Sequence, residues 1–90
     1  MSGYLKLFAF KFLTRSGCHL CDEARPLVER AVKRRRGELI ELDIDRDDAL
    51  TRDYGLRVPV LLGPGDVVIA EGRIDRASLR QGLRKLDKTG

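Results

Sequence analysis

The two cysteines of the chain, Cys18 and Cys21, lie where one secondary-structure pattern changes into another. The residues before them, from Tyr4 to Leu13, alternate loosely and are rich in Phe and Leu, which is typical of a central strand. The residues after them, to about Arg36, place apolar side chains at spacings of three and four, which is typical of a helix. The pair therefore lies at a strand-to-helix junction, which limits the folds that the chain can adopt.

The rest of the chain continues the alternation of strands and helices. We predict a strand from Glu38 to Asp45, then a short helix with Asp45 as its cap and Gly55 as its end. A strand in RVPVLL, a turn at GPGD, a strand in VVIA and a last helix from Asp75 to about Leu86 follow. The order β-α-β-α-β-β-α predicts an α/β fold, a four-stranded mixed sheet flanked by three helices. A single domain over residues 1–90 is expected from the length.

Composition and charge narrow the class of protein. Hydrophobic residues make up 42% of the chain and charged residues 36%, as in soluble globular proteins. No apolar run approaches the roughly 20 residues of a membrane span, and Lys6 and Lys11 interrupt the start of the chain, unlike a signal peptide. We therefore expect a cytoplasmic protein without a membrane partner. In a reducing compartment, the cysteine pair is not expected to be a permanent staple.

Metal binding explains the cysteine pair poorly. A structural zinc site needs four ligands, whereas this stretch offers the two cysteines and His19. Redox exchange fits better, because Cys18 is expected at the first turn of a helix, where unpaired amide donors and the helix dipole favour a thiolate. Cys21 follows one turn later on the same face. We predict a pair that opens and closes a disulfide, with two inert thiols as the alternative.

The formal net charge of +4 comes largely from the run Lys33 to Arg36 and from the last helix. Solvated helix ends and faces are the simplest explanation. Spacings of four also align Arg76, Arg80 and Arg84 on one helix face, so the alternative to an enzyme is a binding module that holds an acidic partner. Nucleic acid is disfavoured, because the chain has two tyrosines, no tryptophan and no alternation of aromatic and basic residues.

The motif SGCHLC resembles the active-site motif of the thioredoxin-fold superfamily, and the chain is most similar to small glutaredoxin-like proteins. The resemblance implies a thioredoxin-like fold and a thiol-disulfide oxidoreductase in which Cys18 attacks and Cys21 resolves. The implied substrates are protein disulfides or glutathione mixed disulfides. His19 and Leu20 are neither the Gly-Pro usual in thioredoxins nor the Pro-Tyr usual in glutaredoxins, so the resemblance leaves the redox poise open. By their position in the motif, the resemblance implies that both residues contact substrate, with Leu20 in place of the usual aromatic side chain.

A second motif, YGLRVPVLL, is similar to the segment that carries the cis-proline of this superfamily. Pro59 matches that proline, and Val58 matches the residue whose main chain pairs with an extended substrate. The resemblance therefore implies that Val58 and Pro59 bind substrate by strand addition. A proline that only begins an edge strand is the alternative.

A third motif, EGRIDRASL, partly matches the segment with which glutaredoxins hold glutathione. Gly72 and Asp75 match positions of that segment, and Arg15 matches a basic position used toward the same ligand. Glu71, however, replaces the first glycine of the usual pair. Glutathione is therefore a candidate co-substrate with incomplete recognition, and no bound cofactor or metal is expected.

Two features of thioredoxins are missing. Gly17 replaces the tryptophan before the motif, and Phe12 replaces the buried carboxylate of the preceding strand. The resemblance thus leaves the electron donor open between glutathione and a flavin-dependent reductase. We expect a monomer.

Overall fold

A computed structural model of the chain describes residues 9–89. The strands are β1 (Ala9–Thr14), β2 (Glu38–Asp43), β3 (Val60–Leu62) and β4 (Val68–Glu71). The helices are α1 (His19–Arg34), α2 (Asp48–Tyr54) and α3 (Arg76–Thr89), with short 3-10 turns at Ile44–Arg46 and Pro64–Asp66. The predicted order of elements is confirmed, although residues 4–8 of the predicted first strand lie outside the described residues. Within residues 9–89, no helix has the length and apolar content to cross a membrane.

The four strands form one mixed sheet in the order β2-β1-β3-β4. The strands β1 and β2 are parallel and joined through α1, whereas β3 runs antiparallel to both β1 and β4. The register pairs Leu13 with Val60. Because these strands are antiparallel, the residues that follow β1 and those that precede β3 lie at the same end of the sheet.

Each face of the sheet packs against a core of its own, because side chains alternate along a strand. On one face, Phe10 and Phe12 pack with the buried side chains of α1 and α3. On the other face, Leu13 packs with Ile44 and with side chains of α2. The helix α3 approaches β4 very closely, since a Cβ atom at Gly82 would lie 2.0 Å from the backbone oxygen of Ile69. Only glycine fits at this contact.

Two predicted details of the segment after β2 are wrong. The strand ends at Asp43 rather than Asp45, because the Asp43 carboxylate accepts the Asp45 N–H at 3.0 Å and starts the 3-10 turn. The cap of α2 is Asp47, whose carboxylate accepts the Leu50 N–H at 3.0 Å. The predicted end at Gly55 is confirmed, since Gly55 is the C-cap residue.

Candidate active site

The cysteine pair lies at the start of α1 and forms a disulfide, with 5.2 Å between the two Cα atoms. Cys18 is the N-cap residue of the helix, and its sulfur accepts the Cys21 N–H at 3.1 Å. This N–H is one of the amide donors that a helix leaves unpaired in its first turn. The Cys18 sulfur therefore lies at the positive end of the helix dipole, a position that favours a thiolate after reduction.

The two cysteines differ in their exposure to solvent. Cys21 is 0% exposed and belongs to the buried residues of α1, whereas Cys18 is partly exposed. A thiol or disulfide in solution can therefore reach Cys18 but not Cys21. The sequence spacing places the two residues on one helix face and does not distinguish them in this way.

Acidic side chains near the pair contact neighbours on the same helix. The Asp22 carboxylate lies 3.0 Å from the Arg25 guanidinium, and the Glu23 carboxylate lies 2.5 Å from the His19 ring nitrogen. The Arg25 guanidinium reduces the repulsion that the Asp22 carboxylate exerts on a Cys18 thiolate. The His19 side chain is 83% exposed, so its imidazole is open to solvent beside the pair.

The segment Val58–Pro59 reaches the same end of the sheet as the cysteine pair, because it directly precedes β3. The Val58–Pro59 peptide bond is cis, the isomer that the resemblance implies. The Val58 N–H donates to the Tyr54 carbonyl oxygen at 3.2 Å. Within residues 9–89, the Val58 carbonyl oxygen accepts no backbone hydrogen bond, and the role of this segment toward a substrate stays a prediction.

Arg15, predicted as a basic contact to substrate, is bound within the chain. Its guanidinium donates to both oxygens of Asp45, at 2.6 and 3.2 Å, and to the Gly55 carbonyl oxygen at 2.9 Å. The hydrogen bond from Arg15 lowers the pKa of the Asp45 carboxyl group. Arg15 thus joins the turn before α1 to the end of α2, and its role toward a substrate stays a prediction.

The predicted glutathione segment lies beside Val58–Pro59, but its polar groups have partners of their own. The Gly72 N–H donates to the Pro59 and Arg57 carbonyl oxygens, at 2.8 and 3.1 Å. The Asp75 carboxylate accepts the Ser78 N–H at 2.8 Å at the start of α3, a bond that lowers the pKa of Asp75. The structure therefore places Gly72 next to Pro59 and gives Asp75 a capping role in the fold.

Glu71, which replaces a glycine of the usual motif, is paired with a neighbouring arginine. The Arg57 guanidinium donates to both carboxylate oxygens of Glu71, at 2.7 and 3.1 Å, and lies over the Tyr54 ring, 4.9 Å from its centroid. The hydrogen bond from Arg57 lowers the pKa of the Glu71 carboxyl group. The position thus carries an ion pair in place of a small, uncharged surface.

Two exposed leucines flank the site. Leu20, between the cysteines, is 36% exposed, and Leu56, two residues before Val58, is 103% exposed. Leu20 was identified from the motif, whereas Leu56 was missed. A fully exposed leucine inside a segment implied to bind substrate is the signal that would have indicated it, but the sequence does not show exposure.

Glu41 on β2 was also missed. It pairs in register with Phe12, accepts a hydrogen bond from the buried Thr14 hydroxyl at 2.9 Å and binds the Arg25 guanidinium through both oxygens. The bond from Arg25 lowers the pKa of Glu41, although burial opposes the shift. The network joins β1, β2 and α1, and its Arg25 follows Cys21 by one helical turn.

Among residues 9–89, no group of three or more His, Cys, Asp or Glu side chains could hold a metal ion.

Comparison with known proteins agrees with this geometry. Residues 10–84 match the family model described as "Glutaredoxin-like domain (DUF836)". The match covers most of the chain, so the protein belongs to this glutaredoxin-like family. No match was found among curated proteins.

Solved structures share the fold of this chain. A structural genomics target protein from X. campestris is 33% identical, with 90% of this chain and 97% of that chain covered and a TM-score of 0.66. Protein Ne2328 from Nitrosomonas europaea is 31% identical, with 81% and 87% covered and a TM-score of 0.67. A mutant thioredoxin from Halobacterium salinarum is 23% identical, with 92% and 74% covered and a TM-score of 0.63, and shares the fold. The protein is thus a glutaredoxin-like domain of thioredoxin fold with a Cys18–Cys21 disulfide.

Proposed function

We propose that the protein is a thiol-disulfide oxidoreductase whose attacking group is the Cys18 thiolate. The observation that carries the proposal is the difference in exposure within one disulfide, since Cys18 is partly exposed and Cys21 is 0% exposed. Disulfide exchange requires a thiolate that the substrate can reach. The helix start that carries Cys18 supplies that thiolate with an amide donor.

The exchange proceeds in two balanced steps. The Cys18 thiolate attacks one sulfur of the substrate disulfide, a Cys18–substrate bond forms, and the other substrate sulfur leaves as a thiolate that takes up a proton. Cys21, after losing its proton, attacks the Cys18 sulfur, and the second substrate sulfur leaves in the same way. The substrate has then gained two electrons and two protons, and the protein holds the Cys18–Cys21 disulfide.

A protein disulfide is the preferred substrate class in this proposal. The residues that match the glutathione positions, Arg15, Gly72 and Asp75, have partners within the chain, and Glu71 adds a carboxylate. An extended peptide, by contrast, is offered the Val58 carbonyl oxygen and the exposed side chain of Leu56. Glutathione mixed disulfides are the slower substrates.

The substrate preference is tested with two probes that share one peptide. The first is a disulfide-linked dimer of a short cysteine peptide, and the second is the mixed disulfide of the same peptide with glutathione. We expect the reduced protein to react faster with the dimer, as followed by mass spectrometry. Equal or faster reaction with the glutathione probe would contradict the substrate preference, and no reaction with either would contradict the function.

The oxidised protein must be reduced again before the next cycle. We therefore propose that it functions in a reducing compartment, the cytoplasm. The donor is tested with two systems that both consume NADPH, thioredoxin reductase alone and glutathione with glutathione reductase. Because the glutathione positions are occupied by internal contacts, we expect faster NADPH loss with thioredoxin reductase. NADPH loss in the glutathione system but not with thioredoxin reductase would contradict this choice of donor. The Cys18→Ser variant is the control in both systems.

A further inference from the structure

A groove lies between α1 and α3, away from the disulfide. It has a volume of about 390 Å³, and its walls carry five arginines, namely Arg30, Arg34, Arg35, Arg76 and Arg80. We call this feature the arginine groove. Arg30 and Arg34 follow Cys18 by 12 and 16 residues, which corresponds to about 18 to 24 Å along a helix axis. A ligand in the groove would therefore leave the cysteine pair accessible.

Most of these arginines have no acidic partner among residues 9–89. Arg35 is paired with Asp87. Within the described residues, no carboxylate lies within ion-pair distance of the other four arginines of the groove, which are Arg30, Arg34, Arg76 and Arg80. Like charges that are brought together repel one another and attract a ligand of opposite sign. The groove is thus complementary to an anionic ligand with several charges.

The remaining lining of the groove is apolar and consists of Leu27, Ala31, Leu79 and Leu83. Leu79 and Leu83 are only 4% and 9% exposed, so they lie at its base. A ligand that fits both parts has apolar side chains toward the base and carboxylates toward the arginines. An amphipathic acidic segment of a protein has this combination.

Two other polyanions fit less well. Proteins bind single-stranded nucleic acids by stacking the bases on aromatic side chains, and none of the lining residues is aromatic. An anionic membrane surface would need apolar side chains that project outward into the lipid, whereas Leu79 and Leu83 are buried. The observations therefore favour a protein segment.

We infer that the arginine groove binds an acidic amphipathic segment of a partner protein. The sequence indicated a stripe of Arg76, Arg80 and Arg84 on α3, and the structure replaces it with a groove to which α1 contributes as well. Arg84 is not among the lining residues. The inference does not rest on the redox function, since it uses neither cysteine.

The test measures binding of a fluorescent helical peptide that carries leucines along one face and glutamates along the others. We expect the Arg30→Glu/Arg80→Glu variant to weaken binding by about tenfold or more, because two attractions become repulsions. The matched control is Arg46→Glu/Arg52→Glu, which makes the same change of charge at exposed positions outside the groove. Circular dichroism establishes that both variants are folded, and Cys18→Ser should bind the peptide as the natural chain does.

Three results would overturn the inference. The first is absence of binding, and the second is equal weakening by both double variants, which would indicate an effect of net charge alone. The third is tighter binding of a single-stranded oligonucleotide, or of vesicles with equal parts phosphatidylserine and phosphatidylcholine, than of the acidic peptide. A peptide with glutamine in place of glutamate should bind weakly. Lowering the salt concentration should strengthen binding of the glutamate peptide but not of the glutamine peptide.

Discussion

Three arginines near the disulfide are paired with carboxylates, whereas four arginines of the arginine groove have no such partner in the part of the chain that the structure describes. Arg15, Arg25 and Arg57 bind Asp45, Glu41 and Glu71 through both carboxylate oxygens. Arg30 and Arg34, on the far part of the same helix α1 as Arg25, have no such partner among residues 9–89. One residue type thus serves two purposes in one small fold.

The difference indicates how each region would select a ligand. Paired charges leave little net field, so in the proposed function the redox end recognises its substrate through main-chain groups and apolar side chains, such as the Val58 carbonyl oxygen and Leu56. Unpaired charges act over about 10 Å at moderate salt and attract an acidic ligand before contact. The two regions can therefore be tested independently.

The largest effect is expected from Cys18→Ser, which should change disulfide reduction without changing binding in the arginine groove. Replacing Cys18 with serine removes the attacking sulfur, so disulfide reduction should fall by about a thousandfold or more, as expected when a covalent nucleophile is lost. Binding of the acidic peptide to the arginine groove should not change. Reduction of a disulfide peptide and fluorescence anisotropy measure the two quantities. Joint loss of both would show that the regions are coupled and would break the comparison.

Removing a charge pair at the redox end should change its selectivity. The Glu71→Gly variant restores the glycine pair of the glutaredoxin motif and frees the Arg57 guanidinium from its carboxylate. We expect the rate with a glutathione mixed disulfide to rise by about tenfold, the value of one charge-assisted hydrogen bond. Glu71→Asp, which keeps the charge, is the control. An unchanged rate with Glu71→Gly would show that internal pairing does not limit glutathione binding.

The Glu41 network predicts a dependence of stability on pH. Because the folded state lowers the pKa of Glu41 from its ordinary 4.5, this carboxylate stabilises the fold above about pH 4.5, and the effect is lost as the pH falls further. The Glu41→Gln variant should lose about 1 kcal/mol at neutral pH, since the group is partly exposed. Denaturant unfolding of both proteins should therefore converge in acid. A constant difference at all pH values would contradict the network.

The smallest effect is expected at Leu56. Its side chain is 103% exposed, so Leu56→Ser should leave the free energy of unfolding unchanged within about 0.5 kcal/mol. The value of kcat/KM for a disulfide peptide should fall by about threefold, because an apolar contact to substrate is lost. Val67→Ser, at an exposed valine just before β4, is the control. Equal losses in both variants would remove Leu56 from the site.

Local patterns predicted most of the fold, because strands and helices follow from periodicity within the chain. The error at Asp45 arose because Asp43, Asp45, Asp47 and Asp48 are all suitable caps by type. Hydrogen bonds in the folded chain decide among them, since Asp45 is bound to Arg15, 30 residues earlier. A pattern of neighbouring residues does not carry that information.

Some features of the candidate site likewise follow from local sequence patterns, whereas others depend on contacts between distant residues. The position of Cys18 and Cys21 at a helix start follows from the strand and helix patterns, and Val58–Pro59 follows from a motif. The difference in burial between the two cysteines, the Arg57–Glu71 pair and the exposure of Leu56 all depend on contacts between distant parts of the chain. The arginine groove requires two helices that are separated in the sequence by residues 35–75.

The most direct test of the central claim is to trap the mixed disulfide. The Cys21→Ser variant keeps the exposed Cys18 and lacks the resolving thiol, so it should accumulate a covalent adduct with a disulfide peptide, visible by mass spectrometry. The matched Cys18→Ser variant retains only the buried Cys21 and should form little adduct over the same time. Comparable or faster adduct formation through Cys21 would contradict the account, because the exposure of Cys18 would then not determine which sulfur attacks.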